Sequence, residues 1–249
     1  MAVPVVRPRK VPKYTCEQSH YDTVPQIPFR MLVLGPSNSG KSQLIQALLC
    51  DFLKSQKNGS SCFHKIVIIS PSVHVDAVWG PVKELQKSAR DPREKVNFEV
   101  YDPAALQDLI AQQKKLVAAC KKRGDEEMPS MCVVLDDIAD DVRFCRHERL
   151  VQELFVRGRH AFISVIASVQ KYRVIAPVVR VNCSCLCVFK LRSDAELKAL
   201  VEENSAAFGG AEALTEAYRL ATREKYSFLY LDLVNDQAYV RFERALQIT

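Results

Sequence analysis

Eight consecutive residues, Gly35, Pro36, Ser37, Asn38, Ser39, Gly40, Lys41 and Ser42, combine types that can hold a nucleoside triphosphate. The pattern Gly-x-x-x-x-Gly-Lys-Ser directly follows an apolar run, Met31 to Leu34, and precedes an amphipathic stretch. It therefore predicts a phosphate-binding loop between a strand and a helix. Glycine at 35 and 40 permits backbone angles that strain any residue with a Cβ. Successive backbone N–H groups can then turn toward an anion. Lys41 would reach the β- and γ-phosphates of ATP, and the Ser42 hydroxyl would be a ligand of Mg²⁺.

A second chemical element lies 95 residues beyond Lys41, where Met131-Cys-Val-Val-Leu runs into Asp136-Asp137. Two carboxylates closing a buried strand suit a hydrolytic site that carries a phosphate loop. Asp136 is assigned to the metal and Asp137 to deprotonating or orienting the attacking water. A third apolar run, residues 161–169, ends in Gln170, whose amide could sense the γ-phosphate and position water. Residues 143–180 carry Arg143, Arg146, Arg149, Arg157, Arg159, Lys171, Arg173 and Arg180 against Glu148 and Glu153. Such a patch can bind a phosphate backbone or supply an arginine finger to a neighbour's nucleotide site. His160 reads as a local hydrogen-bonding residue. Cys183, Cys185 and Cys187 alternate, which on a strand would place all three thiols on one core face.

Positioning these residues requires strands alternating with helices. Strands are expected at residues 31–34, 65–70, 96–101, 131–135 and 161–169, with one or two more within 178–190. Helices are expected at 42–54, from Pro103 to about residue 120, and at 146–156, 193–204 and 214–221. Ser193 with Glu196 three residues on suggests a capping box for the fourth of these. Trp79, in a stretch that is harder to read, is expected to be a packed loop aromatic. Residues 227–233 and 238–242 around Asn235-Asp236 predict a terminal hairpin. Continuous Val/Ile/Leu strands argue for a mostly parallel central sheet flanked by helices, with an antiparallel edge. In such sheets ligands bind at the carboxyl ends of the strands, where the loop, Asp136-Asp137 and Gln170 all fall.

The 249 residues allow one sizeable α/β domain, and the net charge of +6 permits a polyanionic partner without demanding one. Residues 1–27 hold Pro4, Pro8, Pro12 and Pro25 among basic side chains, and read as a flexible leader to a single domain at 28–249. The nine cysteines form no Cys-x-x-Cys pair, and several sit in apolar runs. That usage suits reduced thiols in a soluble intracellular protein. No apolar run is long enough to span a bilayer, so no transmembrane segment is expected.

Taken together, the loop, Val-Val-Leu-Asp-Asp-Ile, Leu-Phe-Val-Arg-Gly-Arg-His, Ile-Ser-Val-Ile-Ala-Ser-Val-Gln and Pro-Val-Val-Arg-Val-Asn resemble the poxvirus-type genome-packaging ATPases. These belong to the FtsK/HerA-like branch of P-loop NTPases. The resemblance spans roughly residues 28–245. It implies a RecA-like P-loop NTPase fold and an ATP-hydrolysing motor that forms a homo-oligomeric ring and drives double-stranded DNA into a capsid. Capsid or portal proteins are implied partners, and the host cytoplasm or virus factory, or the virion, the implied location. A trans-acting arginine is also implied, with Arg157 and Arg159 as its first candidates and Arg180 behind them. Two other readings stay open. One is a small-molecule kinase, although no arginine-rich lid is evident. The other is a DNA-binding ATPase that does not translocate. A GTPase switch is disfavoured because no Asn-Lys-x-Asp follows a later strand.

Overall fold

The computed structural model describes residues 9, 11–89, 94–137 and 148–247. Nine strands among them form one sheet in the order β3-β2-β4-β5-β1-β6-β7-β8-β9. The strands are β1 Arg30–Leu34, β2 Lys65–Ile69, β3 Asn97–Phe98, β4 Met131–Leu135, β5 Ile163–Val169, β6 Cys185–Phe189, β7 Phe228–Asp232, β8 Gln237–Val240 and β9 Arg244–Leu246. The first six pair in parallel and the last three antiparallel. The expected hairpin is thus a three-strand meander, because the chain turns again after Val240 and pairs Arg244 with it.

Alternation within each strand sends neighbouring side chains into two cores, one on each face of the sheet. Leu32, Val67, Val133, Val165 and Val188 face one layer, packed by helices α4 Arg149–Arg157, α6 Asp194–Asn204 and α7 Ala211–Ala221. Met31, Val33, Ile68, Val134 and Ile166 face the other, against α1 Lys41–Ala47 and α2 Gly80–Ala89. Trp79 is fully buried in that second layer, on a 3-10 turn leading into α2. Helix α3 Pro103–Arg123 starts on the Asp102 side chain, which accepts from the Ala105 N–H, and stops at Gly124 with φ 85°. It is an N-cap, N1 proline and left-handed C-cap in sequence.

Several expectations need correction. The helix after the loop is regular only to Ala47, and its last turn, Leu48–Phe52, is a π-helix. The third strand shrinks to Asn97–Phe98. Of the one or two strands expected within 178–190 only β6 forms, because Pro177 opens the short helix α5 Pro177–Val181 ahead of it. Pro at the first helical position outweighs the strand preference of the valines that follow. Cys183 consequently falls outside a strand and packs in the first core, while Cys185 and Cys187 share the second. The capping box at Ser193 does not form: its side chain makes no cap bond, and Glu196 instead accepts from the Arg173 N–H at 3.0 Å.

The proline-rich segment also differs from a free leader. Thr15 makes a parallel bridge to Glu127 and exchanges backbone hydrogen bonds with residues 126 and 128. The Gln18 amide both donates to the Ile27 carbonyl at 2.7 Å and accepts from its N–H at 2.9 Å. Cys16, Val24 and Ile27 are buried in the second core. Prolines make this strap extended, as composition implies, but its few apolar side chains suffice to tie it down. Arg7 and Lys10 lie outside the described residues.

Candidate nucleotide site

The phosphate loop leaves β1 at Gly35, whose N–H donates to the Val169 carbonyl of β5 at 3.1 Å. A Cβ on Gly35 would stand 2.6 Å from Ser39 Oγ and 2.8 Å from Phe189 Cβ, so only glycine fits. Gly40 enters α1 with φ 102°, a left-handed conformation that a side chain would strain. Lys41 is buried, and its ammonium donates to the Pro36 carbonyl at 3.1 Å. That bond draws the lysine back over the loop. Ser39 Oγ is buried and has no hydrogen-bond partner among the described residues. An anion seated in the loop would meet that need.

Across the sheet, Asp136 follows β4 directly. One of its oxygens, Oδ2, accepts from Ser42 Oγ at 3.4 Å and from Ser70 Oγ at 3.2 Å. The other, Oδ1, is buried and unpartnered among the described residues. Burial pushes this carboxyl up from its ordinary range. The Ser168 hydroxyl, near it but off hydrogen-bond geometry, opposes the rise, Asp137 adds to it, and Ser70 and then Lys41 counter it. A divalent cation would remove both defects, since it favours the ionised carboxylate and coordinates the idle oxygen. Hydroxyl and carboxylate oxygens are hard donors of the kind Mg²⁺ takes. Among the described residues there is no cluster of three His, Cys, Asp or Glu side chains that could hold a metal by itself. The fit is to an ion that takes its other ligands from phosphate and water.

Strand β5 lies between β1 and β4, and its register sets the depth of each group. Leu34 pairs with Val169 and Leu135 with Ala167. Gln170 is therefore level with Gly35, and Asp136 lies two residues deeper, level with Ser168. Asp137 is exposed, at φ 52°, on the mouth of the same crevice. The phosphate loop, both aspartates and Gln170 thus occupy one end of three adjacent strands. Ser70 joins them unannounced by any motif, and the only signal for it in the sequence is its place at the end of an apolar strand.

The basic residues do not form one patch. Arg157 and Arg159 are exposed just before β5, whereas Lys171 and Arg173 are exposed just after Gln170. The seven-residue strand separates the two groups by about 20 Å. Arg159 stands close enough to Arg30, at the start of β1, that its charge, after burial, lowers the Arg30 pKa. Arg157 and Arg159 are therefore at the far end of the sheet from their own loop. Arg180 is withdrawn from solvent, paired with Glu203 at 2.7 Å and set over the Tyr172 ring at 5.1 Å. That removes it as a free finger. Arg149 pairs with Glu153 along α4, and His160 is exposed on the turn after it. Arg143 and Arg146 lie outside the described residues.

A family model described as Poxvirus A32 protein matches residues 94–239, more than half of the chain. "Uncharacterized protein 075L" of Invertebrate iridescent virus 6 is 24% identical over 213 residues, covering 82% of this chain and 70% of that protein. Among solved structures, the genome packaging NTPase B204 of Sulfolobus turreted icosahedral virus 2, in complex with AMP, superposes with a TM-score of 0.59 at 18% identity. The superposition covers 85% of this chain and 96% of that one. The pCW3 conjugation coupling protein TcpA, with ATPγS, gives a TM-score of 0.53 at 16% identity over 89% of this chain and 67% of its own. At these identities the structural likeness establishes the fold, a P-loop α/β sheet with antiparallel strands at one edge.

Proposed function

Because the chain belongs to the Poxvirus A32 protein family, we propose that it is an ATP-hydrolysing motor that moves double-stranded DNA, packaging a viral genome into its capsid. The observation that carries this reading is the meeting of Ser42 with Asp136, beside the strand that Gln170 follows. A loop alone would support only nucleotide binding. A carboxylate pair and an amide at its mouth supply the parts of a hydrolytic reaction.

In this mechanism the backbone of residues 35–42 cradles the phosphates, and the Lys41 ammonium leaves the Pro36 carbonyl to hold the β- and γ-phosphate oxygens. Ser42 and Asp136 would hold Mg²⁺, which supplies charge neutralisation at the phosphates. Asp137 accepts the proton of the attacking water, and the Gln170 amide orients that water toward the γ-phosphate. Asp137 is one methylene shorter than glutamate, so the water must lie close to β4. Water as acceptor makes the products ADP and phosphate.

Arg157 and Arg159 cannot serve their own loop from the opposite end of the sheet, which suits a trans role. In a homo-oligomeric ring either can face the nucleotide of the next subunit and stabilise charge on the transferring phosphoryl group. Lys171 and Arg173, after Gln170, are available to DNA phosphates. Capsid or portal protein is the implied docking partner, and the virus factory the implied place of action. No helix among the described residues is long and apolar enough to cross a membrane.

Phosphate release measured with and without double-stranded DNA, across a range of salt, tests the reading. DNA should raise turnover several-fold at low salt, with the stimulation fading as salt rises, because phosphate contacts release counterions. An ATPase rate indifferent to DNA at every salt concentration would reject translocation.

A further inference from the structure

A cavity of about 850 Å³ opens beside α1, and Asn38 and Gly40 of the phosphate loop with Gln43 of α1 form one of its walls. The hydrolytic chemistry uses none of its other residues. Leu44, Ala47, Phe52 and Phe189 floor it, and the two ends of the chain close it: Tyr21 from the N-terminal strap, Tyr226 from the turn before β7, and Phe242 with Arg241 and Glu243 from the turn after β8. The volume and the apolar, aromatic lining with a few polar groups fit a small-molecule site.

The two tyrosines do not behave as core residues. Tyr226 is 57% exposed, and its backbone is held at φ 64°, a conformation that is costly for a bulky side chain. Its ring edge stands 3.5 Å from where a Cβ on Gly40 would project, so it overhangs the loop directly. Tyr21 is 44% exposed and meets Phe52 edge-on at 5.7 Å between ring centroids. Arg241, also at positive φ, pairs with Glu243 at 3.0 Å and places donors and a carboxylate at the rim. A triphosphate seated on residues 35–42 leaves the rest of its nucleotide to an adjoining space, and this cavity shares a wall with the loop.

We propose that the cavity receives the nucleobase of the bound nucleotide, with Tyr226 as its stacking face and the Arg241–Glu243 pair toward its polar edge. Tyr21 closes the opposite side, so the strap becomes part of the nucleotide site. The proposal rests on reading residues 35–42 as the phosphate site for ATP.

Isothermal titration of the full chain with ATP and with inorganic tripolyphosphate, both with Mg²⁺, separates the two ideas. Wild type should bind ATP at least tenfold more tightly than tripolyphosphate. Tyr226→Ala should weaken ATP roughly 10- to 100-fold, the range expected for one lost base–aromatic stack, and leave tripolyphosphate within twofold. Unchanged tripolyphosphate binding also certifies that the variant is folded. Tyr226→Phe should restore ATP affinity, while Lys41→Ala should weaken both ligands. Equal affinities of wild type for the two ligands, or an undiminished ATP affinity in Tyr226→Ala, overturns base binding and leaves the phosphate site standing. Absence of binding by either ligand to wild type overturns both.

Discussion

Ser42 and Asp136 are 94 residues apart in the chain, yet the serine hydroxyl donates to the aspartate Oδ2 at 3.4 Å. The contact exists because β5 inserts between β1 and β4 and holds their carboxyl ends at adjacent levels. Asp136→Asn keeps the shape and removes the charge a divalent ion needs. We expect turnover to fall at least 100-fold, with the residual rate no longer rising as Mg²⁺ is added. A magnesium titration of phosphate release checks this, and a normal magnesium response in the variant would refute the assignment.

Asp137 and Gln170 stand at the mouth of that crevice, beside the phosphate loop rather than in it. Asp137→Asn and Gln170→Ala should therefore lower the catalytic constant, by about 10²- to 10⁴-fold for the aspartate, while nucleotide affinity changes little. Equilibrium binding of ATP beside single-turnover hydrolysis separates the two effects. A loss confined to binding would remove both residues from the chemistry.

The three arginines should divide by type of defect. Arg157→Ala or Arg159→Ala chains mixed with wild type should depress activity by more than their share of subunits. A mixture whose activity falls only in proportion would place the finger elsewhere. Arg180→Ala should act on stability, because it strips Glu203 and Tyr172 of a charged partner. We expect a cost of about 1–2 kcal/mol in urea unfolding.

The strap makes a separate claim on stability. Ile27 is buried in the second core, and its backbone is bracketed by the Gln18 amide. Ile27→Ala should cost about 2–4 kcal/mol, the range for large-to-small changes in a packed core. An Ile27→Ala variant as stable as wild type would mean that the strap is loosely held.

His64 predicts an acid limb. Burial lowers its pKa below the ordinary 6.5, the Lys65 charge acts the same way, and the hydrogen bond with the Ser130 carbonyl works against them. The unfolded chain then binds a proton that the folded chain refuses. Stability should be full above pH 6.5 and decline as pH falls through the lower folded value. Urea unfolding at several pH values should show this slope in wild type and a shallower one in His64→Gln.

Much of the site is legible in local chemistry alone. Residues 35–42 are contiguous and Asp136-Asp137 ends an unbroken apolar strand, so their roles follow from residue type and short-range geometry. The parallel sheet is legible for the same reason, since strands buried on both faces are apolar at every position. Helix starts with local caps, such as Asp102-Pro103, are equally plain, whereas Pro177 misleads because one proline redirects a strand-like run of valines into a helix. What depends on distant partners is hidden from the sequence. The strand expected at 161–169 already sets Arg157 and Arg159 at the opposite end of the sheet from Lys171 and Arg173, but nothing in the sequence says that Arg180 is withdrawn onto Glu203 and Tyr172. The proline-rich strap looks solvated in composition, yet a bridge at Thr15 and the buried Cys16, Val24, Pro25 and Ile27 hold it. The wall that Tyr21 and Tyr226 share with Gly40 joins both ends of the chain to its phosphate loop. Such a surface is defined by the order in which strands pair, and that order is decided by the free energy of the whole packed sheet.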